Sequence, residues 1–185
     1  NRRDYWQSTM GNLVTDALRE RAGTDVSFFP AWRYGATILP GKILAEDVYN
    51  VVPTDGKIVT YSMNGKVLKE LVENILQGVS GKDPYARVGG DMIRFSGMKL
   101  DCNLRAKAGN KIRSMLIGGQ AMDEQKEYSI ASVHTRFQNN PMFGATNIKE
   151  SNKIFVEELI EYVRQKSPLN VQLDNRINLK TIQFN

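Results

Sequence analysis

Arg33 stands between Trp32 and Tyr34 in the stretch FFPAWRYGATILPG, residues 28–41. A guanidinium offers a planar fork of N–H donors that fits the oxygens of a carboxylate, sulfate or phosphate. Flanking aromatics can stack on it and keep water away. A loop that only reversed the chain would have no use for those three side chains. Two readings stay open at Arg33: an oxyanion contact, or a structural arginine paired with a loop carboxylate. A second group lies at Gly89, Gly90 and Asp91, after Pro84-Tyr85 and before Arg94. Backbone N–H groups of the glycine pair and the Arg94 guanidinium can face one anion. The same glycines equally suit a loop that needs positive φ.

Other chemistries find little to work with. The chain has one histidine, His134, and one cysteine, Cys102. A zinc or dinuclear-metal site takes several His, Cys or carboxylate ligands at close spacing. No H-x-x-x-H, C-x-x-C or D-x-H is present. A nucleophilic triad would have to use His134, and no G-x-S-x-G occurs. His134 reads as a strand end satisfied by a neighbour or as a substrate contact. Cys102 falls on an alternating strand, where a small buried thiol is the usual state. A single cysteine also rules out an internal disulfide. Neither glycine pair forms G-x-G-x-x-G or a P-loop, and Gly118-Gly119 reads as a hairpin turn.

Charge narrows the partners. Twenty-five basic against twenty acidic residues leave +5, with no run of five like charges. A nucleic-acid binder shows a basic stripe, so nucleic acid is not expected; an anionic substrate or acidic partner is compatible. No stretch approaches the roughly 18 apolar residues of a membrane span. The chain opens NRRDYWQ, without methionine, and is expected to be a fragment of a longer protein.

The elements that must position these residues follow from periodicity. STMGNLVTDALRERAG predicts a helix capped by Ser8 or Thr9 and stopped at Gly23, with Leu13, Val14, Ala17 and Leu18 as its apolar stripe. Residues 25–29 predict a strand, 45–52 a short helix, and 57–63 a second strand. Asn64-Gly65 opens an amphipathic helix with Val67, Leu68, Leu71, Val72 and Ile75 facing inward. Residues 78–91 read as a glycine-rich loop and 135–147 as a second irregular one. Strands are predicted at 92–103, 111–122 and 127–134, a helix at 152–166, and a last strand at 176–184. The mixture predicts an α/β (α+β) fold, a mixed sheet with flanking helices in one domain spanning 1–185. Loops 28–41, 78–91 and 135–147 are the places to look for function.

Taken in order, these segments resemble the C-terminal domain of the 5'-nucleotidase family along nearly the whole chain. GNLVTDALRERAGTDVSFF is similar to the family's opening helix and strand. LPGKILAEDVYNVVP, YSMNGKVLKELVENIL, FSGMKLD and IGGQAMDEQKEYSIAS follow in the expected order. Within the family, PAWRYGATILPG and DPYARVGGDMIRFSGMKLDC resemble the sulfur-oxidation thiosulfohydrolase (SoxB) branch. Nucleotidases carry Asn-Gly-Gly before the arginine, where this chain has Phe29, Pro30, Ala31 and Trp32. They also stack the base between two aromatics. Met92 takes the place of one, and Phe137 in TRFQNNPMFGATN is left as a single wall.

The resemblance implies a substrate-binding domain of a dinuclear-metal hydrolase. Manganese or zinc would sit in an N-terminal metallophosphoesterase domain that this chain lacks. The SoxB-like activity is hydrolysis of a cysteine S-thiosulfonate on a sulfur carrier protein, releasing sulfate in the periplasm. By position Arg33 would contact the oxyanion, flanked by Trp32 and Tyr34. Gly89, Gly90, Asp91 and Arg94 would line the channel or support the fold. A nucleotidase with an altered base pocket, and a docking module without chemistry, are the alternatives.

Overall fold

The computed structural model describes residues 6–30, 38–53, 56–81, 85, 92–133 and 144–179. Helix α1 (Thr9–Ala22) is capped as its sequence predicts. Ser8 Oγ accepts from Gly11 N–H at 3.0 Å, and Gly23 closes the helix with φ 66°. That left-handed turn costs glycine little. The chain reverses at once into β1 (Val26–Phe29). Helix α2 (Ala45–Val51) leads to β2 (Lys57–Asn64), and Asn64 caps α3 (Gly65–Ser80) through its side chain. Then come β3 (Arg94–Ser96), β4 (Met98–Cys102), β5 (Ile112–Ile117), β6 (Gln120–Ala121), β7 (Glu127–Ser132), β8 (Thr146–Ile154), α4 (Phe155–Lys166) and β9 (Ile177–Leu179).

The strands form two sheets, not one. The larger has the order β3-β1-β7-β2-β8, with β1 and β7 parallel and every other pair antiparallel. The smaller has the order β6-β5-β4-β9. Alternation puts Val26, Phe28, Tyr61, Met63, Tyr128 and Ile130 on one face of the larger sheet, packed with α3 and the smaller sheet. Phe29, Ile58, Ala131 and Val133 lie on the other face, under α1, α2 and α4. Helices thus cover both faces of a mixed sheet, an α+β architecture as predicted.

Four expectations change. Residues 92–103 are not one strand. Gly97 breaks them at φ 85°, and β3 joins the larger sheet while β4 joins the smaller. Helix α3 runs on to Ser80, so residues 78–80 belong to the helix and not to the loop. Residues 146–147, assigned to the loop at 135–147, open strand β8, and residues 152–154 end that strand and do not start the last helix. β8 is an edge strand that is exposed at nearly every position and reads TNIKESNKI, so it carries no alternation to detect. The last helix begins at Phe155, where the first fully buried side chain falls.

Glu73 is a second departure from simple amphipathicity. It lies on the inner face of α3, 5% exposed, between the buried Val72 and Leu76. Its carboxylate accepts from Lys111 N–H at 3.0 Å and Ile112 N–H at 2.6 Å, tying α3 to the start of β5. A carboxylate accepting two backbone donors contributes more than a neutral hydrogen bond. Glu73→Gln removes one acceptor and turns an NH2 group toward a backbone donor. The expected loss is about 2 kcal/mol, seen as a fall in melting temperature of roughly 4–8 °C. An unchanged melting temperature would show that the two amides find other acceptors.

Candidate functional site

The larger sheet brings the ends of β1 and β7 and the starts of β2 and β3 together at one end. Phe29, the last residue of β1, is paired with Arg94, the first of β3. β7 runs parallel to β1, so Ala131 and Ser132 finish at the same end. β2 is antiparallel to β7, with Val59 opposite Ser132, and therefore starts there. The chain leaves this end into residues 31–37 and 134–143 and comes back to it through Met92 and Ile93. Ligand sites favour the loop-bearing ends of a rigid scaffold.

Helix α1 brings its N-terminus to the same end. The Arg94 stem lies over Gly11, and Ser96, two residues further on, hydrogen-bonds Asp16 and Arg19. Helix and strand therefore run in the same direction. No acidic residue in the first turn of α1 offsets the positive end of the helix dipole. Arg94 is half-buried, and its stem lies against that first turn.

A polar stripe on α1 fixes this arrangement. Ser8, Gly11, Asn12, Thr15, Asp16 and Arg19 recur at helical spacing on the side facing β3. Thr15 Oγ1 donates to Gly11 O at 2.7 Å, and Ser27 Oγ donates to Thr15 O at 2.7 Å. Ser96 Oγ donates to Asp16 and accepts from Arg19 Nε at 3.1 Å. Arg176 enters from the far end of the chain. It donates to Phe95 O at 2.7 Å, Thr15 Oγ1 at 3.2 Å, Asp16 at 3.0 Å and Asp174 at 2.7 Å. Asn12 Nδ2 donates to Gln172 O at 3.1 Å. Sequence reasoning missed these supports because a polar stripe on an amphipathic helix ordinarily faces water. The signal was present in Asn12 and Thr15, small polar residues beside the apolar stripe.

Of the site residues predicted from sequence, Arg94 is described and lies at this end. Trp32, Arg33, Tyr34, Gly89, Gly90, Asp91 and Phe137 lie outside the described residues, as does His134. Cys102 is fully buried. Burial, then the charges of Glu73 and Asp101, push its thiol up to about 12. It is a packing residue and not a nucleophile, as its strand position implied. Among the described residues no three His, Cys, Asp or Glu side chains come together as metal ligands. These residues do not fit a dinuclear metal pair.

Among the described residues a cleft lies elsewhere. About 1030 Å³ opens between α1, α2, α4 and residues 38–44 and 167–171. Met10, Leu13, Ile43, Val48 and Val163 give it an apolar wall, and Lys42 and Arg164 are the only charged residues among its described lining. Arg94 is not part of that wall. No helix among the described residues is long and apolar enough to cross a membrane.

The architecture has known counterparts. The sulfate thiohydrolase SoxB of Thermus thermophilus, solved in complex with glycerol, superposes on 100% of this chain with a TM-score of 0.83 and 25% identity. A 5'-nucleotidase precursor, also from Thermus thermophilus, matches 94% of the chain with a TM-score of 0.75 and 21% identity, a likeness of fold alone. A 5'-nucleotidase-related protein of Glossina morsitans morsitans is 23% identical over 94% of the chain. The chain spans about a third of each relative: 34%, 35% and 35% of their lengths. The family model for the 5'-nucleotidase C-terminal domain matches residues 1–147. On that match the chain belongs to the family of 5'-nucleotidase C-terminal domains.

Proposed function

We propose that the chain is the substrate-binding domain of a SoxB-like hydrolase, which cleaves a carrier-bound cysteine S-thiosulfonate and releases sulfate. The observation that carries this reading is Arg94 at the N-terminus of α1, at the sheet end where loops 31–37 and 134–143 depart. A guanidinium beside the positive end of a helix makes a corner suited to an anion. The likeness to SoxB over the whole chain supports the choice of branch. Arg33 supplies the oxyanion contact, with Trp32 and Tyr34 excluding water from it. Gly89, Gly90 and Asp91 line the channel. Donors fixed before the reaction stabilise charge as it develops, at no cost of reorganisation. Manganese or zinc belongs to an N-terminal metallophosphoesterase domain of the parent protein, which is exported to the periplasm.

A second reading is a 5'-nucleotidase or related phosphoesterase acting on nucleoside monophosphates. The Glossina relative and the nucleotidase fold support it. The deciding experiment offers the full-length protein both substrates, a carrier protein loaded with thiosulfonate and a set of nucleoside monophosphates. Sulfate release from the carrier is the expected result. Saturable phosphate release without sulfate release would replace the first reading by the second. Turnover of neither, with the carrier still bound, would leave a docking module.

A further inference from the structure

Gly11 stands at the third position of α1, where glycine is a poor choice. It weakens a helix by about 0.5–1 kcal/mol relative to alanine. Gly11 takes ordinary helical backbone, so no turn requires it. What its missing Cβ makes room for is the Arg94 stem, with Ser8 Oγ beside it. A Cβ on Gly11 would lie 2.9 Å from Arg94 Cδ and 3.0 Å from Cγ, both well inside contact distance. The arginine stem crosses the first turn of α1 in the space that the missing Cβ leaves.

Neither element is free to move aside. The Arg94 backbone is held in register opposite Phe29. Ser96 is tied to Asp16 and Arg19 one and two turns further along α1. Arg176 clamps the same helix to Phe95 O. A methyl group at position 11 must therefore be absorbed by the Arg94 side-chain torsions, and its guanidinium moves.

We infer that Gly11 is a positioning residue for Arg94: the bare first turn of α1 is a seat for the Arg94 stem at the sheet end where β1 and β7 finish. The seat itself is independent of the substrate. Its functional consequence rests on the reading that Arg94 faces an anion there.

The test is a four-protein cycle in the full-length protein: wild type, Gly11→Ala, Arg94→Ala and the double variant. Hydrogen–deuterium exchange of residues 8–22 reads the seat. With Arg94 present, Gly11→Ala is expected to speed exchange about fivefold, the equivalent of roughly 1 kcal/mol. With Arg94 removed, the same change should slow exchange, because alanine is the better helix former. The reversal of sign is the signature. Equal acceleration in both backgrounds would assign the clash to Ser8 Oγ, 3.0 Å from the same Cβ, and overturn the seat. If Gly11→Ala alone fails to fold, recovery in the double variant supports the seat and failure of both removes it.

KM and kcat, with whichever of the two substrates above is cleaved, read the consequence. Gly11→Ala and Arg94→Ala should each raise KM about tenfold or more, in line with loss of a charge-assisted hydrogen bond. The double variant should be no worse than Arg94→Ala. A sign reversal in exchange with unchanged KM in all variants would keep the seat and reject the anion site.

Discussion

Gly97→Ala is expected to lower stability by about 3–4 kcal/mol and the melting temperature by roughly 10 °C. Two independent causes add. Gly97 has φ 85°, a backbone that costs an L residue about 1–2 kcal/mol. A Cβ there would also sit 2.0 Å from the carbonyl oxygen of Asp25. That oxygen has little room to retreat. Asp25 N–H donates to Ser129 Oγ at 2.9 Å, and the Asp25 carboxylate accepts from Ser129 N–H at 2.9 Å and Ser129 O–H at 2.8 Å. Asp25 is thus pinned to β7, and the strain must spread into β3 or β4. Gly109→Ala is the internal control. Gly109 has φ 79° but nothing within 4 Å of its added Cβ, so only the conformational cost applies. Calorimetry of both variants should show Gly97→Ala losing at least twice as much. Equal losses would mean that the close approach to Asp25 is relieved by a small shift and does not hold the two sheets at their junction.

Much of this architecture could be read from local pattern. The cap at Ser8, the stop at Gly23 and the Asn64-Gly65 opening of α3 are decided by neighbouring residues, and they stand where they were predicted. The Gly118-Gly119 hairpin turn likewise follows from two positive φ values that glycine tolerates. Pairing between distant segments could not be read in that way. Residues 92–103 alternate on both sides of Gly97 but change phase there, from Ile93 and Phe95 to Met98, Leu100 and Cys102, and only the strand pairing shows that Gly97 hands the chain from one sheet to another. β8 hid for the opposite reason. An edge strand exposed along its length needs no apolar side, so its sequence looks like a loop.

The candidate site divides in the same way. Arg94 was singled out in the sequence because a Gly-Gly-Asp stretch and an arginine lie close together. Its supports were not. Gly11 is more than eighty residues away and Arg176 another eighty further on, and neither type nor spacing announces that they meet. Glycine in the first turn of a helix was a usable clue, since it contradicts local propensity without an obvious turn to justify it.

Arg176→Met should lower stability by about 3 kcal/mol at neutral pH, at the lower edge of the range for breaking a buried ion pair. The Arg176 side chain is 7% exposed, whereas Asp16 and Asp174 keep 35% and 46% of their exposure. The two carboxylates can therefore recover water once the guanidinium is gone, which keeps the loss from being larger. The Phe95 carbonyl and Thr15 Oγ1 each lose a donor. The anchor of residues 172–176 on α1 is weakened with them, leaving the hydrogen bonds of Asn12. The variant also makes a prediction about acid. Burial alone would raise the Asp174 carboxyl, but hydrogen bonding and charge from Arg176 outweigh it and hold the group below its ordinary value. A carboxyl depressed in the folded state contributes stability that is complete above its unfolded value of about 3.9 and is lost as pH falls through the folded value. The arginine stays charged throughout. Urea unfolding of wild type and Arg176→Met should therefore show a constant gap from pH 7 to 5 and a narrowing gap below about pH 4. A gap that holds its full size at pH 3 would assign the role of Arg176 to its bonds with Phe95 and Thr15 alone, and would leave the Asp174 pair with no part in stability.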